Sequence, residues 1–102
     1  MEPPDQPRIL RIFRARLTPG REPEWVRIVD RAISEQLARG QGLLECFIAR
    51  PDAEDEGEYV IVSVWRDKDA VRAFVGASTV PIFVDNEREL IEWSELKQYE
   101  IV

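Results

Sequence analysis

Apolar and polar side chains alternate from Arg8 to Leu17, so that Ile9, Arg11, Phe13, Ala15 and Leu17 share one side of an extended chain and Leu10, Ile12, Arg14 and Arg16 the other. Thr18-Pro19-Gly20 ends this first predicted strand with turn chemistry. The period then changes. From Pro23 to Arg39, Val26, Val29, Ile33 and Leu37 recur every three or four residues, and Trp25, Ile28 and Ala32 widen the stripe, which predicts a long amphipathic helix. Gly40 and Gly42 stop it, because glycine readily takes the left-handed conformation that follows a helix end. Leu43 to Arg50 reads as a second strand. The third ends on Trp65, and its Val60, Ile61, Val62 and Val64 are branched at Cβ, which restricts χ1 and disfavours helix. After Asp67 the helical spacing returns at Ala70, Val71, Phe74 and Val75. Val80 to Trp93 reads as a further helical segment, with Pro81 in its first turn and Phe83, Leu90 and Ile91 among its apolar positions. Glu95 to Val102 is expected to be a terminal strand.

Met1 to Pro7, with three prolines among polar residues, is expected to be a loose leader before a single domain over residues 8–102. The loop Pro51 to Gly57 is short and acidic, so the second and third strands most simply form an antiparallel hairpin. This order of elements is a ferredoxin-like α+β arrangement, a four-stranded antiparallel sheet with helices on one face. The opposite face is then expected to carry Leu10, Ile12, Leu44, Cys46, Ile48, Val60, Val62 and Val64. So much apolar surface needs a cover, and a second subunit is the simplest one.

Composition narrows the chemistry. Fourteen basic against twenty acidic side chains give a net charge of -6, which argues against nucleic acid as a partner. The first fifty residues carry +2 and the remainder -8, an asymmetry that can guide subunits together. Cys46 is the single cysteine, so no intrachain disulfide can form, and with no secretory signal a reducing cytoplasm is the expected location. No apolar run approaches the roughly 20 residues that span a bilayer. Histidine is absent, which removes Ser-His-Asp and Cys-His nucleophile systems, a histidine-held zinc and a proximal haem histidine. Any acid or base must be a carboxylate, lysine, tyrosine or solvent.

Three stretches carry a resemblance: Ile12-Phe13-Arg14-Ala15-Arg16-Leu17-Thr18-Pro19-Gly20 leading into the long helix, Tyr59-Val60-Ile61-Val62-Ser63-Val64-Trp65 leading into Asp67 to Phe74, and the closing Tyr99-Glu100-Ile101-Val102. In these the chain resembles the antibiotic biosynthesis monooxygenase-like family of dimeric α+β barrels over roughly residues 8 to 102. The resemblance implies a homodimer whose two sheets close a barrel, with a pocket in each subunit between sheet and helices. It also implies oxygenation of polyphenols or quinols without metal or flavin, or haem degradation in other relatives. The strand-end tryptophan of both groups maps onto Trp65. The first-strand asparagine of haem-degrading relatives, seven positions before the turn glycine, maps onto Phe13, and their second-helix histidine falls near Phe74 or Val75. Haem degradation by the usual ligand set is therefore not expected.

The candidate site comprises Trp65 and Arg11 as catalytic residues and Phe13, Ser63 and Phe74 as substrate-binding residues. Trp65 can border a flat aromatic ring by stacking, or it can be an ordinary core tryptophan. Arg11 and Arg14 interrupt an apolar strand, where a guanidinium can hold a phenolate or carboxylate. The plainer alternative is a cross-strand ion pair of either arginine with Glu45 or Glu100, or a place on the dimer surface. Ser63 and Tyr59 have no visible partner, and a serine without a base is a weak nucleophile. Asp52, Glu54 and Glu56 faintly echo a calcium loop, but its twelfth position is Ser63, so no metal is expected. Cys46 is expected to be buried and inert.

These readings converge on a cytoplasmic homodimer resembling cofactor-independent monooxygenases, which needs no cofactor because an acidic substrate would itself reduce dioxygen. The alternative is a non-catalytic module on the same dimeric barrel, binding a small aromatic ligand or a partner. A third reading fills the pocket with Trp25, Phe74 and Phe83.

Overall fold

The computed structural model describes residues 6–52, 57–75 and 87–102, excluding the side chains of 87 and 88. The elements are β1 (Ile9–Leu17), α1 (Glu22–Arg39), β2 (Leu43–Ala49), β3 (Tyr59–Trp65), α2 (Lys68–Val75), α3 (Glu87–Leu90) and β4 (Ile91–Glu100). The strands form one antiparallel sheet in the order β2-β3-β1-β4, the ferredoxin-like arrangement expected from the pattern.

Alternation along β1 is as expected. Ile9, Arg11, Phe13, Ala15 and Leu17 are all buried, whereas the residues between them are more open. Trp25 and Val29 of α1 pack with Phe13, Ala15, Leu17 and Leu90, while Ala70 and Val71 of α2 pack with Ile9, Leu43 and Trp65. Trp25 and Ile9 are fully enclosed, and burial of such side chains stabilises by roughly 2–3 kcal/mol each.

The helix ends follow local chemistry. Gly40 takes φ 62° and its N–H donates to the Leu37 carbonyl, which closes α1. Asp67 caps α2: its Oδ1 accepts from the Ala70 N–H at 2.8 Å, satisfying a backbone donor that the first turn leaves open.

Two expectations are corrected. The segment Val80 to Trp93 is not helical to its end: α3 stops at Leu90, and Ile91 begins a strand instead of Glu95. Residues 80–86 of that prediction, with Pro81 and Phe83, lie outside the described residues. The ladder to β1 overrides helical spacing here. Leu17 pairs with Ile91 and Arg16 with Trp93 across a bulge, and the Thr18 N–H takes the Leu90 carbonyl at 2.8 Å.

The second correction concerns β2. A register shift between Leu43 and Glu45 inserts one residue into the alternation, so Cys46 pairs with Ser63 and Ile48 with Ile61, on the helix side of the sheet. Phe47, opposite Val62, takes the place on the outer face expected for Cys46 and Ile48. The outer face thus presents Leu10, Ile12, Val60, Val62 and Val64, with Phe47, Leu44 and Tyr99 about half exposed.

Candidate functional site

On the helix side, the sheet register assembles a short polar row between the two apolar clusters. Arg11 of β1 lies opposite Ser63 of β3 and Gln98 of β4, and Ser63 in turn lies opposite Cys46 of β2. Trp65 is two residues beyond Ser63 on the same face and buried at 2% exposure. Its indole Nε1–H donates to the Ser63 Oγ at 3.0 Å, which supplies the partner that was not visible in the sequence. Because Ser63 accepts that bond, its own hydroxyl proton remains available for donation.

Arg11 is the unusual member of the row. Its side chain is buried, at 9% exposure, and its Nε has no hydrogen-bond partner among the described residues. Burial lowers its pKa from the ordinary arginine value, although a guanidinium remains charged at any physiological pH. A buried cation without a counter-ion is costly unless something anionic reaches it.

Arg14 behaves differently. It sits on the outer face, where its Nε meets a Glu58 carboxylate oxygen at 2.7 Å, its Nη1 meets Glu95 at 3.2 Å, and its guanidinium lies 5.6 Å from the Trp93 ring. The expected cross-strand pairing therefore occurs for Arg14, but with Glu58 and Glu95. Glu100 is taken by Lys68 at 3.0 Å. Neither expected carboxylate joins Arg11.

Phe74 of α2 rests against Trp65 with ring centroids 5.0 Å apart at a 39° tilt, and is itself partly exposed. Trp65, Ser63, Arg11 and Phe74 thus form one neighbourhood. Phe13 does not join Trp65 directly: it lies across the polar row, in the cluster around Trp25. Tyr59 is at the far end of β3, edge-on to Trp25 at 5.7 Å between centroids.

The arrangement places two hydrogen-bond donors, one of them positively charged, in the same row as the enclosed Trp65 indole, with Phe74 as the more exposed member of the group. Cys46 contributes no base, since burial pushes its thiol up to about 11. Among the described residues no group of three or more potential ligands could hold a metal ion, and Glu54 and Glu56 lie outside those residues. No helix among them is long and apolar enough to cross a membrane. Gln98 and Cys46 escaped sequence reasoning as members of the row because their place depends on register. The i, i+2 spacing that puts Ser63 and Trp65 on one face of β3 is the signal that could have revealed their hydrogen bond.

Comparison with known proteins agrees with this fold. A Pseudomonas aeruginosa protein of solved structure superposes with TM-score 0.77 at 14% identity, covering 95% of this chain and 96% of the other. SnoaB, a cofactor-independent oxygenase from Streptomyces nogalater, superposes with TM-score 0.72 at 23% identity over 94% of both chains. A heme-degrading protein from Mycobacterium tuberculosis gives TM-score 0.61 at 17% identity, covering 96% and 94%. Identities this low establish a common fold. None of the curated proteins matches the chain in sequence at a significant level. The model of one family, antibiotic biosynthesis monooxygenase, matches residues 8–84, most of the chain, and to that family this protein belongs.

Proposed function

We propose that this protein is a cofactor-independent monooxygenase of small aromatic substrates, polyphenols or quinols, acting as a cytoplasmic homodimer. The observation that carries the reading is the row in which buried Arg11 and the Ser63 hydroxyl stand beside the Trp65 indole. In this reading Trp65 and Phe74 hold the ring, Phe13 bounds the far side, and Arg11 orients the ring's anionic oxygen. An ionised substrate supplies the electrons for dioxygen. For an anthrone, the ring methylene becomes a carbonyl with one oxygen atom of dioxygen, and the other leaves with the two methylene hydrogens as water.

Family membership and the fold shared with a cofactor-independent oxygenase support this chemistry. The dimer is supported by the apolar outer face, where Phe47 and Tyr99 are nearly half exposed beside a valine-rich strand. The test is oxygen uptake with anthrone-type and hydroquinone substrates. Uptake should exceed that of Trp65→Phe, and equal rates for the two proteins refute the proposal. Sedimentation at micromolar concentration should give a dimer that Phe47→Asp dissociates.

A second reading, a binding module without turnover, draws on the apolar Phe13, and Phe74 or Val75, near the positions that the resemblance gives to polar groups in haem-degrading relatives. It predicts that an aromatic ligand raises the melting temperature with no oxygen consumed.

A further inference from the structure

We infer that α2 is a mobile cover over Trp65: it leaves the sheet as a unit while the rest of the fold stays closed, and a ligand ring reaches the indole only then. The gating clause rests on the proposed reading that Trp65 takes an aromatic ligand. The opening stands on the described structure alone. Trp65 is buried at 2% exposure, and the ring lying against it is Phe74, at 39%. A ligand that stacks where Phe74 rests has to displace it.

The two helices that cover the sheet differ in how firmly they are held. α1 has 18 residues and buries Trp25 and Val29 in the cluster with Phe13. α2 has eight, fewer than the roughly 12–15 at which a free helix becomes even marginal, so it persists only while packed. Its buried side chains, Ala70 and Val71, are small. Its described link to β4, Lys68 with Glu100, joins two half-exposed side chains, and such pairs contribute little. The Asp67 cap is lost when the helix dissolves. Because Ala70, Val71 and Trp65 form one cluster and Phe13, Leu17 and Trp25 another, α2 can open without breaking the packing under α1. Elements with so little buried apolar contact open well below the energy of global unfolding.

The test is hydrogen exchange of the indole protons, read by NMR on the full chain under conditions where reclosing outpaces exchange. The Trp65 Nε1–H should exchange at least about tenfold faster than the Trp25 Nε1–H. Val29→Ala, which loosens the other cluster, should speed Trp25 and leave Trp65 where it was. Asp67→Ala should raise Trp65 exchange by about 2- to 30-fold, and Asp67→Asn, which caps equally well, should stay near wild type. The association rate of 2-naphthol, followed by tryptophan fluorescence, should rise in Asp67→Ala by the same factor, because both rates scale with the open population. Should Val29→Ala fail to fold, the wild-type gap between the two indoles decides. Equal exchange of the two indoles, or a Trp65 rate that follows Val29→Ala, overturns the inference, since Trp65 is then uncovered only by global unfolding. An unchanged association rate in Asp67→Ala overturns the gating role alone. No saturable binding at 2-naphthol concentrations on the order of millimolar sinks the aromatic-ligand reading and the gating role with it, while the opening is still judged by exchange.

Discussion

Gly42 is the contact on which the placement of α2, and so of Phe74 over Trp65, can be tested. Its backbone sits at φ 99°, and a Cβ built there would lie 2.5 Å from the Ala70 Cβ on the buried side of α2. Gly42→Ala therefore incurs two separate costs. The left-handed backbone conformation costs a side chain about 1–2 kcal/mol. The overlap with Ala70 forces a shift of helix against sheet, worth about 1–3 kcal/mol. Together they remove roughly 2–5 kcal/mol, which for a domain of this size lowers the melting temperature by about 10–40 °C. Gly20 isolates the first cost, because it has φ 84° with nothing within 4 Å of its built Cβ. Gly20→Ala should then lose only that first cost, about 1–2 kcal/mol. The double variant Gly42→Ala with Ala70→Gly should recover the overlap cost, less about 1 kcal/mol for a glycine inside a helix. Urea unfolding followed by tryptophan fluorescence at fixed protein concentration measures all three. If Gly42→Ala is no worse than Gly20→Ala, α2 does not rest on the start of β2, and the packing of Phe74 on Trp65 is misplaced.

Further outcomes follow from single groups. Ser63→Ala leaves the buried Trp65 N–H without its acceptor and should cost about 1–3 kcal/mol in urea unfolding, with altered Trp65 emission; no loss means the indole has another acceptor. The Asp67 carboxyl is held below its ordinary value of 3.8, first by the Ala70 N–H, so its stabilisation is present above that value and lost as pH falls through the lower folded value. Asp67→Ala should accordingly melt below the wild type at pH 7, with the gap closing in acid below 3.8; a gap constant with pH refutes this. Because burial raises the Cys46 thiol to about 11, alkylation of the native protein should be slow near neutrality and climb about tenfold per pH unit toward that value. A rate that levels off below pH 9 would place the thiol in a different environment.

Legibility in the sequence varied with the distance over which the determining contact acts. The alternation of β1 was plain, because the two-residue period is local and each apolar position meets one core. α1 was equally plain, from the spacing of Val26, Val29 and Ile33 to the glycine that ends it. Cross-strand facts were not. The inserted residue near Leu44 reverses which side Cys46 and Ile48 occupy, and no residue type there announces it. The sequence points to an ion pair for an arginine of β1 with Glu45 or Glu100, but the partners of Arg14 are Glu58 and Glu95, chosen by register and turn length. Helical spacing ran on past Leu90 because Ile91 and Trp93 fit either period, and only the hydrogen bonds offered by β1 decide between them. Of the site, Trp65 and Arg11 were legible as residues out of keeping with their strands. Their common row with Ser63, Gln98 and Cys46 required the assembled sheet.

β1 occupies the interior of the sheet, and its neighbour on one side is β4, so that Ile9 faces Glu100 across the ladder. Of the four strands of this sheet, β1 is made first and β4 last, so one edge of β1 stays unmatched until β4 has been added. Closing so long a loop is entropically expensive, and chains dominated by such distant pairings fold slowly. Deleting residues 91–102 should therefore act on a strand distant in sequence, baring β1 as an open edge that recruits strands from other chains and drives aggregation.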